Sequence, residues 1–160
     1  MESLYAHPMI VHHNDNNQAS SLEQNKALMR NYIEEAWNKG DLDFIDKNFS
    51  SDFVGHGTFL GQPTNRDGVK SVISTIRNAI PDLHITIEDM LAEGDKVVPR
   101  WLTKGTHKGD LMGAKPTGNK ISVSETAVVR VKDGKVVEAW ANRDDLGFLQ
   151  QIGLIPPLGS

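Results

Sequence analysis

The 160-residue sequence contains no cysteine, which excludes disulfide bonds, thiolate nucleophiles and cysteine-ligated zinc. It also lacks an excess of basic residues: the net charge is −4 and the pI is about 5.8, so charge gives no reason to expect a nucleic-acid partner. No apolar run approaches the length of a membrane span, and the N-terminus has no signal-peptide pattern. These absences favour a cytoplasmic protein that has no membrane partner.

Sequence motifs of nucleotide, cofactor and metal chemistry are missing as well. There is no P-loop, no dinucleotide-binding glycine motif after a strand, no nucleophile elbow and no HExxH. The chain has six histidines, but their spacing is not that of metal ligands. We therefore expect no metal site.

The pattern along the chain predicts an N-terminal tail followed by helices. Residues 1–19 are crowded with polar residues that show no helical or strand period, which predicts a flexible tail. Order should begin at Ser20–Ser21, where a capping box is possible. Apolar spacing then predicts three helices, the first ended by Gly40 and the third by Pro81. A polar, glycine-rich loop holding His56 is expected before the third helix.

From His84 onward the apolar period changes from helical to alternating, and it predicts four strands. Asp133-Gly134 is a turn signal that joins the last two strands as a hairpin. A short helix around Phe148 follows. Helices followed by a mostly antiparallel sheet form an α+β pattern, and residues 20–160 should make a single domain. A bent sheet covered by helices on one face would enclose a pocket that suits a small ligand.

The last predicted strand ends in a carboxylate near an aromatic residue. Because strand residues alternate between faces, Trp140, Asn142 and Asp144 should point the same way. Asp144 is then either a helix cap or a pocket-facing general base whose pKa is raised by an aromatic wall. The two aspartates can also divide these tasks, with Asp145 capping the final helix and Asp144 facing the pocket.

Glu125 interrupts the apolar face of the third predicted strand, where an unpaired carboxylate would be costly to bury. It is either a paired structural carboxylate, a residue turned outward by a bulge, or a pocket residue. Arg100, on the preceding strand, is a candidate partner whose fork of donors would position the carboxylate, and Trp101 lies on the opposite face of that strand. His107 and His56 are lone histidines, which are more often structural than catalytic.

Several short segments, taken in order, carry a family resemblance. They are N-x-G-D-L-D at 38–43, F-V-x-H at 53–56, I-P-D-L at 80–83, G-D-K-V-V-x-R-W at 94–101, G-T-H-x-G at 105–109, P-T-G at 116–118 and D-G-K-V-V-E-x-W-x-x-x-D-x-L-G-x-L-Q-Q-I-G at 133–153. Together they resemble the SnoaL-like polyketide cyclases, a branch of the NTF2-like superfamily. The resemblance covers nearly all of the chain from about residue 22.

This resemblance implies an α+β NTF2-like (cystatin-like) cone, in which N-terminal helices pack on a strongly curved, mostly antiparallel barrel-like sheet that encloses a pocket. It implies assembly as a homodimer or homotetramer through the sheet. It also implies catalysis without cofactor or metal, by intramolecular aldol-type ring closure of a small apolar, carbonyl-bearing or polyketide-like molecule.

The resemblance further implies that Asp144 is the general acid/base and that His107 assists proton transfer or orients the substrate. The other candidate substrate-binding residues are Trp140, His56, Asn142, Arg100, Glu125 and Trp101. The same scaffold serves isomerases, dehydratases, hydrolases and non-catalytic binding proteins, so these remain alternative functions. Convergence of Asp144 and His107 in one enclosed cavity would favour an enzyme.

Overall fold

The computed structural model describes residues 13–157 and residue 159 of the chain. Helices and strands follow one another in an α+β order. The helical elements are α1 (His13–Asn31), a π-helical segment (Tyr32–Asn38), α2 (Asp43–Asn48), α3 (Arg66–Ala79) and α4 (Asp145–Gln151). The strands are β1 (Phe49–Phe59), β2 (Gln62–Thr64), β3 (His84–Glu93), β4 (Lys96–Thr106), β5 (Lys120–Lys132) and β6 (Lys135–Arg143).

The first helix begins earlier than the sequence pattern predicts. It starts at His13, so Ser20–Ser21 lie within it and form no capping box. The Ser21 hydroxyl instead donates to the Gln18 carbonyl at 2.9 Å, a bond available to a serine inside a helix. The first part of the expected tail, residues 1–12, lies outside the described residues.

The predicted helix ends are confirmed. Gly40, with a φ of 79°, takes the left-handed conformation that ends the first helical stretch. The helix α3 ends at Ala79, shortly before Pro81, as expected from the restriction that proline places on the preceding residue. Among the described residues, no helix is long and apolar enough to cross a membrane.

The strands form one curved sheet in the order β2-β1-β6-β5-β4-β3. Neighbours are antiparallel except β1 and β6, which run parallel, so the predicted mostly antiparallel sheet is confirmed. The sheet is open, with β2 and β3 at its edges, and not a closed barrel. Its helix-covered face carries the hydrophobic core, to which Met29 of α1 and Ile73 of α3 contribute.

The segment that holds His56 is a strand, and the prediction of a loop there is wrong. The polar run Ser50–Asp52 and the glycines at 55 and 57 hide the apolar alternation of β1. The strand is specified instead by its partner, since His56 pairs with Trp140 of β6 far along the chain. Local sequence carries little of that information.

The inward phase of β5 is the predicted one. Ile121, Val123, Ala127, Val129 and Val131 are buried on the face that meets the helices. Glu125 stands in the same row, so it points toward the interior.

The phase of β6 is changed by a β-bulge. Arg130 pairs with Glu138 and Val131 pairs with Val136, so Val137 is an extra residue on β6. A one-residue insertion exchanges the two faces of a strand. After the bulge, the inward row therefore continues through Ala139 and Ala141, and the residues between them face away from the helices.

Candidate functional site

Two pockets that share lining residues lie between the helices and the inner face of the sheet, and we call them the two lobes of the cavity. The larger lobe measures about 70 Å³ and the smaller about 30 Å³, taken as the space open to the centre of a water molecule. Trp37, Trp101 and Glu125 border both lobes, and we call the place where they meet the waist. A single water needs about 10–15 Å³ on this measure, so the larger lobe has room for a small ligand. Its wall is mostly apolar and includes Met29, Phe53, Ala127, Ala139 and Ala141.

Glu125 is the carboxylic acid of the waist. In the sheet it stands opposite Trp101 of β4 and Arg143 of β6. Loss of hydration in the apolar cavity raises the pKa of Glu125 to about 7, while the nearby Arg143 charge lowers it and the Asp145 charge raises it. Near neutral pH the group is therefore available both as a carboxylate and as a carboxylic acid, as general acid/base chemistry requires.

Tyr32 and Trp37 form a polar pair in the wall of the larger lobe. The Trp37 Nε1–H donates to the Tyr32 hydroxyl at 2.9 Å. These residues are five apart, and the i→i+5 pattern of the π-helical segment brings such residues together. Burial raises the pKa of Tyr32, so the phenol stays protonated. The segment is anchored through Asn38, whose side chain bonds the Ile85 backbone at 2.8 and 3.1 Å.

Arg143 borders the smaller lobe and is held in place by its neighbours. Its Nε and Nη2 donate to the Asp145 carboxylate at 2.8 and 2.6 Å. Its guanidinium lies over the Phe148 ring, 5.1 Å from the centroid. Arg143 therefore supplies a fixed positive charge beside Glu125.

Asp144 lies outside the cavity, and the predicted division of labour between the aspartates is reversed. The exposed Asp144 carboxylate accepts from the Gly147 backbone N–H at 2.9 Å and caps α4. Asp145, not Asp144, faces the arginine beside the cavity. The bulge in β6 explains the error, because it turns the row of Trp140 and Asn142 away from the helices.

Trp140 and His56 form a cluster on the outer face of the sheet, so their expected position in the pocket is wrong. Their rings stack with centroids 5.2 Å apart and planes 10° from parallel. The Arg130 guanidinium lies 5.5 Å from the Trp140 centroid, and His56 Nε2 is 3.0 Å from a Glu138 oxygen. Asn142 follows Trp140 on this face and is exposed.

His107 is buried but does not border either lobe. Its Nδ1 lies 3.0 Å from the Thr117 hydroxyl, and its backbone exchanges hydrogen bonds with Gly118 and Asn119. Within the described part of the chain, its Nε2 has no hydrogen-bond partner. His107 therefore supports the polar loop after β4, and it does not converge with Asp144 in the cavity.

The sequence makes Arg100 a candidate partner of Glu125, but in the structure Arg100 does not pair with Glu125. It is opposite Thr126 in the sheet, and its guanidinium pairs with Glu88 on the exposed face. Successive residues of β4 point to opposite faces, so Trp101 is the neighbour that reaches the cavity.

In the described ranges, no group of three or more histidine, aspartate or glutamate side chains is arranged to hold a metal ion.

Sequence reasoning missed Tyr32, Trp37 and Arg143 as site residues. Tyr32 and Trp37 follow the apolar spacing of the first predicted helix, and in that pattern their polar atoms give no separate signal. The position of Arg143 depends on the bulge in β6, which the alternating pattern does not reveal.

Comparison with known proteins agrees with the fold. Residues 26–152 match the SnoaL-like polyketide cyclase family. The chain belongs to this family. The aklanonic acid methyl ester cyclase DnrD of Streptomyces peucetius is 24% identical over 129 residues, which is 79% of this chain and 88% of that protein.

Two solved structures of the same architecture are more similar in sequence. AclR of Streptomyces galilaeus, a proposed hydroxylase, has 31% identity and a TM-score of 0.76, covering 86% of this chain and 85% of that one. IdmH of Streptomyces antibioticus, a proposed polyketide cyclase, has 31% identity and a TM-score of 0.70, covering 81% of this chain and 99% of that one.

Proposed function

We propose that the protein is a cyclase that closes a ring in a small, apolar, carbonyl-bearing molecule by general acid/base catalysis, with Glu125 transferring the proton. The observation that carries this proposal is the position of Glu125: among the described residues that line the two lobes, it is the one carboxylic acid. Membership of the family and the likeness to the cyclase DnrD support ring closure as the reaction.

The proposed reaction uses both forms of Glu125. The carboxylate removes a proton from a carbon between two carbonyl groups, and the resulting enolate carbon attacks a further carbonyl group of the same molecule. The carboxylic acid then returns the proton to the new alkoxide, so the residue ends as it began. Confinement in the cavity brings the reacting carbons together, and general acid/base help is worth about 10²- to 10⁴-fold in rate.

The test separates Glu125 from the residues that the family resemblance nominated. Ligands are found by thermal shift with polyketide-like ketones, since binding stabilises the folded state, and hits are checked for conversion by mass spectrometry. Glu125→Gln should lower turnover by about 10²- to 10⁴-fold and leave ligand binding intact. Asp144→Asn, in the exposed cap, is the matched control and should keep most of the rate. A Glu125→Gln protein with full rate, or an inactive Asp144→Asn protein, would contradict the proposal.

A second candidate function is binding without chemistry, and the scarcity of polar groups in the larger lobe favours it. A carrier or sensor of this kind would be stabilised by apolar ketones that are recovered unchanged. Isomerisation, dehydration or hydrolysis by the same carboxyl group would appear instead as a product without a new ring. Residence in the cytoplasm and assembly as a homodimer or homotetramer through the sheet stay predictions.

A further inference from the structure

The indole N–H of Trp101 is a buried donor at the waist of the cavity. Trp101 is 5% exposed, and among the described residues its Nε1 forms no hydrogen bond. Trp101 stands opposite Glu125 in the sheet, and both residues line the two lobes. The indole N–H lowers the pKa of Glu125, although the geometry between the two groups is not that of an ordinary hydrogen bond. A buried N–H without an acceptor lowers stability, so a partner in the cavity would be favourable.

Tyr32, which lines the same lobe, carries a second donor in its hydroxyl group. Its oxygen accepts from Trp37 Nε1, and its own proton is donated to none of the described residues. Accepting one hydrogen bond polarises an O–H and makes it a better donor. Tyr32, Trp101 and Glu125 all line the larger lobe, and Glu125 stands opposite Trp101 in the sheet.

We propose that the Trp101 N–H and the Tyr32 O–H together bind a carbonyl oxygen of the ligand beside Glu125. A carbonyl oxygen has two lone pairs and accepts two donors, whereas a hydrocarbon offers none. The ligand is then a neutral ketone whose apolar body fills the larger lobe. If the proposed function holds, on which this ligand class rests, the same donors stabilise the enolate oxygen as the adjacent carbon loses its proton.

The experiment compares two probes of the same shape, the bicyclic ketone 1-tetralone and its hydrocarbon analogue tetralin. Each is titrated into the full-length protein, and dissociation constants are measured by two-dimensional ¹H–¹⁵N NMR. The chain has three tryptophans, so each spectrum contains three indole N–H signals. The ketone should shift the Trp101 signal downfield and leave that of Trp140, on the outer face, unchanged.

Variants test each donor through the ratio of the two dissociation constants. Wild-type protein should prefer the ketone, and Trp101→Phe and Tyr32→Phe should each reduce this preference by about threefold to tenfold, as expected for one hydrogen bond. Trp140→Phe is the matched control and should retain the full preference. The ratio of dissociation constants remains informative if a variant is less stable, because general damage to the cavity weakens the binding of both probes by the same factor.

The proposal is overturned if wild-type protein binds neither probe or binds both equally. It is also overturned if Trp101→Phe and Tyr32→Phe keep the ketone preference. The same holds if the chemical shift of the Trp101 indole N–H does not change when the ketone is added. These outcomes are independent of turnover. If Trp101→Phe and Tyr32→Phe lose the ketone preference but the wild-type protein converts no ligand, the donor pair is supported and the cyclase is rejected. If Glu125→Gln is inactive but Trp101→Phe and Tyr32→Phe keep the ketone preference, the cyclase is supported and the donor pair is rejected.

Discussion

Replacing Glu125 by glutamine should make the protein more stable at neutral pH and have little effect at acidic pH. Folding raises the pKa of Glu125 from 4.5 to about 7, so the folded protein binds more protons than the unfolded chain between these values. Wild-type stability therefore falls as the pH rises through this window. Glutamine has nearly the same volume as glutamate and carries no charge. The unfolding free energy of the variant therefore does not fall as the pH rises through this window.

The magnitude follows from the difference between the two pKa values. A tenfold change in the acid dissociation constant is worth about 1.4 kcal/mol, so the interval from 4.5 to about 7 corresponds to about 3 kcal/mol. This is a large part of the free energy of unfolding of an ordinary domain, about 5–15 kcal/mol. The protein accepts this cost at the waist of its cavity, as expected for a group retained for function and not for stability.

The measurement is urea denaturation of wild-type protein and Glu125→Gln at several pH values between 4.5 and 8.5. The difference in unfolding free energy between the two proteins should grow by about 3 kcal/mol across the window and then level off. Other titrating groups contribute equally to both proteins and cancel. Glu93→Gln, at the exposed end of β3, is the matched control for loss of a carboxylate outside the cavity. A flat difference for Glu125→Gln would refute the raised pKa and the acid/base argument built on it.

Three further predictions concern the cap, the cavity and the charge at the waist. Asp144→Ala removes the cap of α4 and should lower the unfolding free energy by about 1 kcal/mol in urea denaturation; an unchanged value would contradict the capping role. Ala141→Leu places a larger side chain in the larger lobe and should abolish thermal stabilisation by ketone ligands, whereas Asn142→Leu, on the outer face, should not; equal behaviour of the two variants would argue against binding in this lobe. Arg143→Met removes a positive charge that lowers the pKa of Glu125 and should raise that pKa above about 7, as followed by ¹³C NMR of the carboxyl carbon; a fall would contradict the electrostatics described here.

Much of the fold was predictable because its signals are local. The helical period and Pro81 define α3, and Asp133-Gly134 defines the β5–β6 hairpin. The strict alternation of β5 also placed Glu125 on its apolar face, although the pattern alone left open whether the carboxylate was paired, turned outward or functional. By contrast, β1 depends on parallel pairing with β6, a contact between distant parts of the chain that leaves little trace in the sequence.

The sequence by itself determined that a carboxylate, Glu125, stands in a row of apolar strand residues, and that its family is the SnoaL-like cyclases. Only the tertiary structure decided which groups surround the cavity. One extra residue, Val137, shifts the pairing of β6 and exchanges its faces, so that Arg143 turns inward and Trp140 outward. The Asp144 carboxylate accepts a hydrogen bond from a backbone N–H in the first turn of α4 and so caps that helix. Strand phase beyond a bulge is set by pairing with the neighbouring strand, and side-chain alternation alone does not encode it.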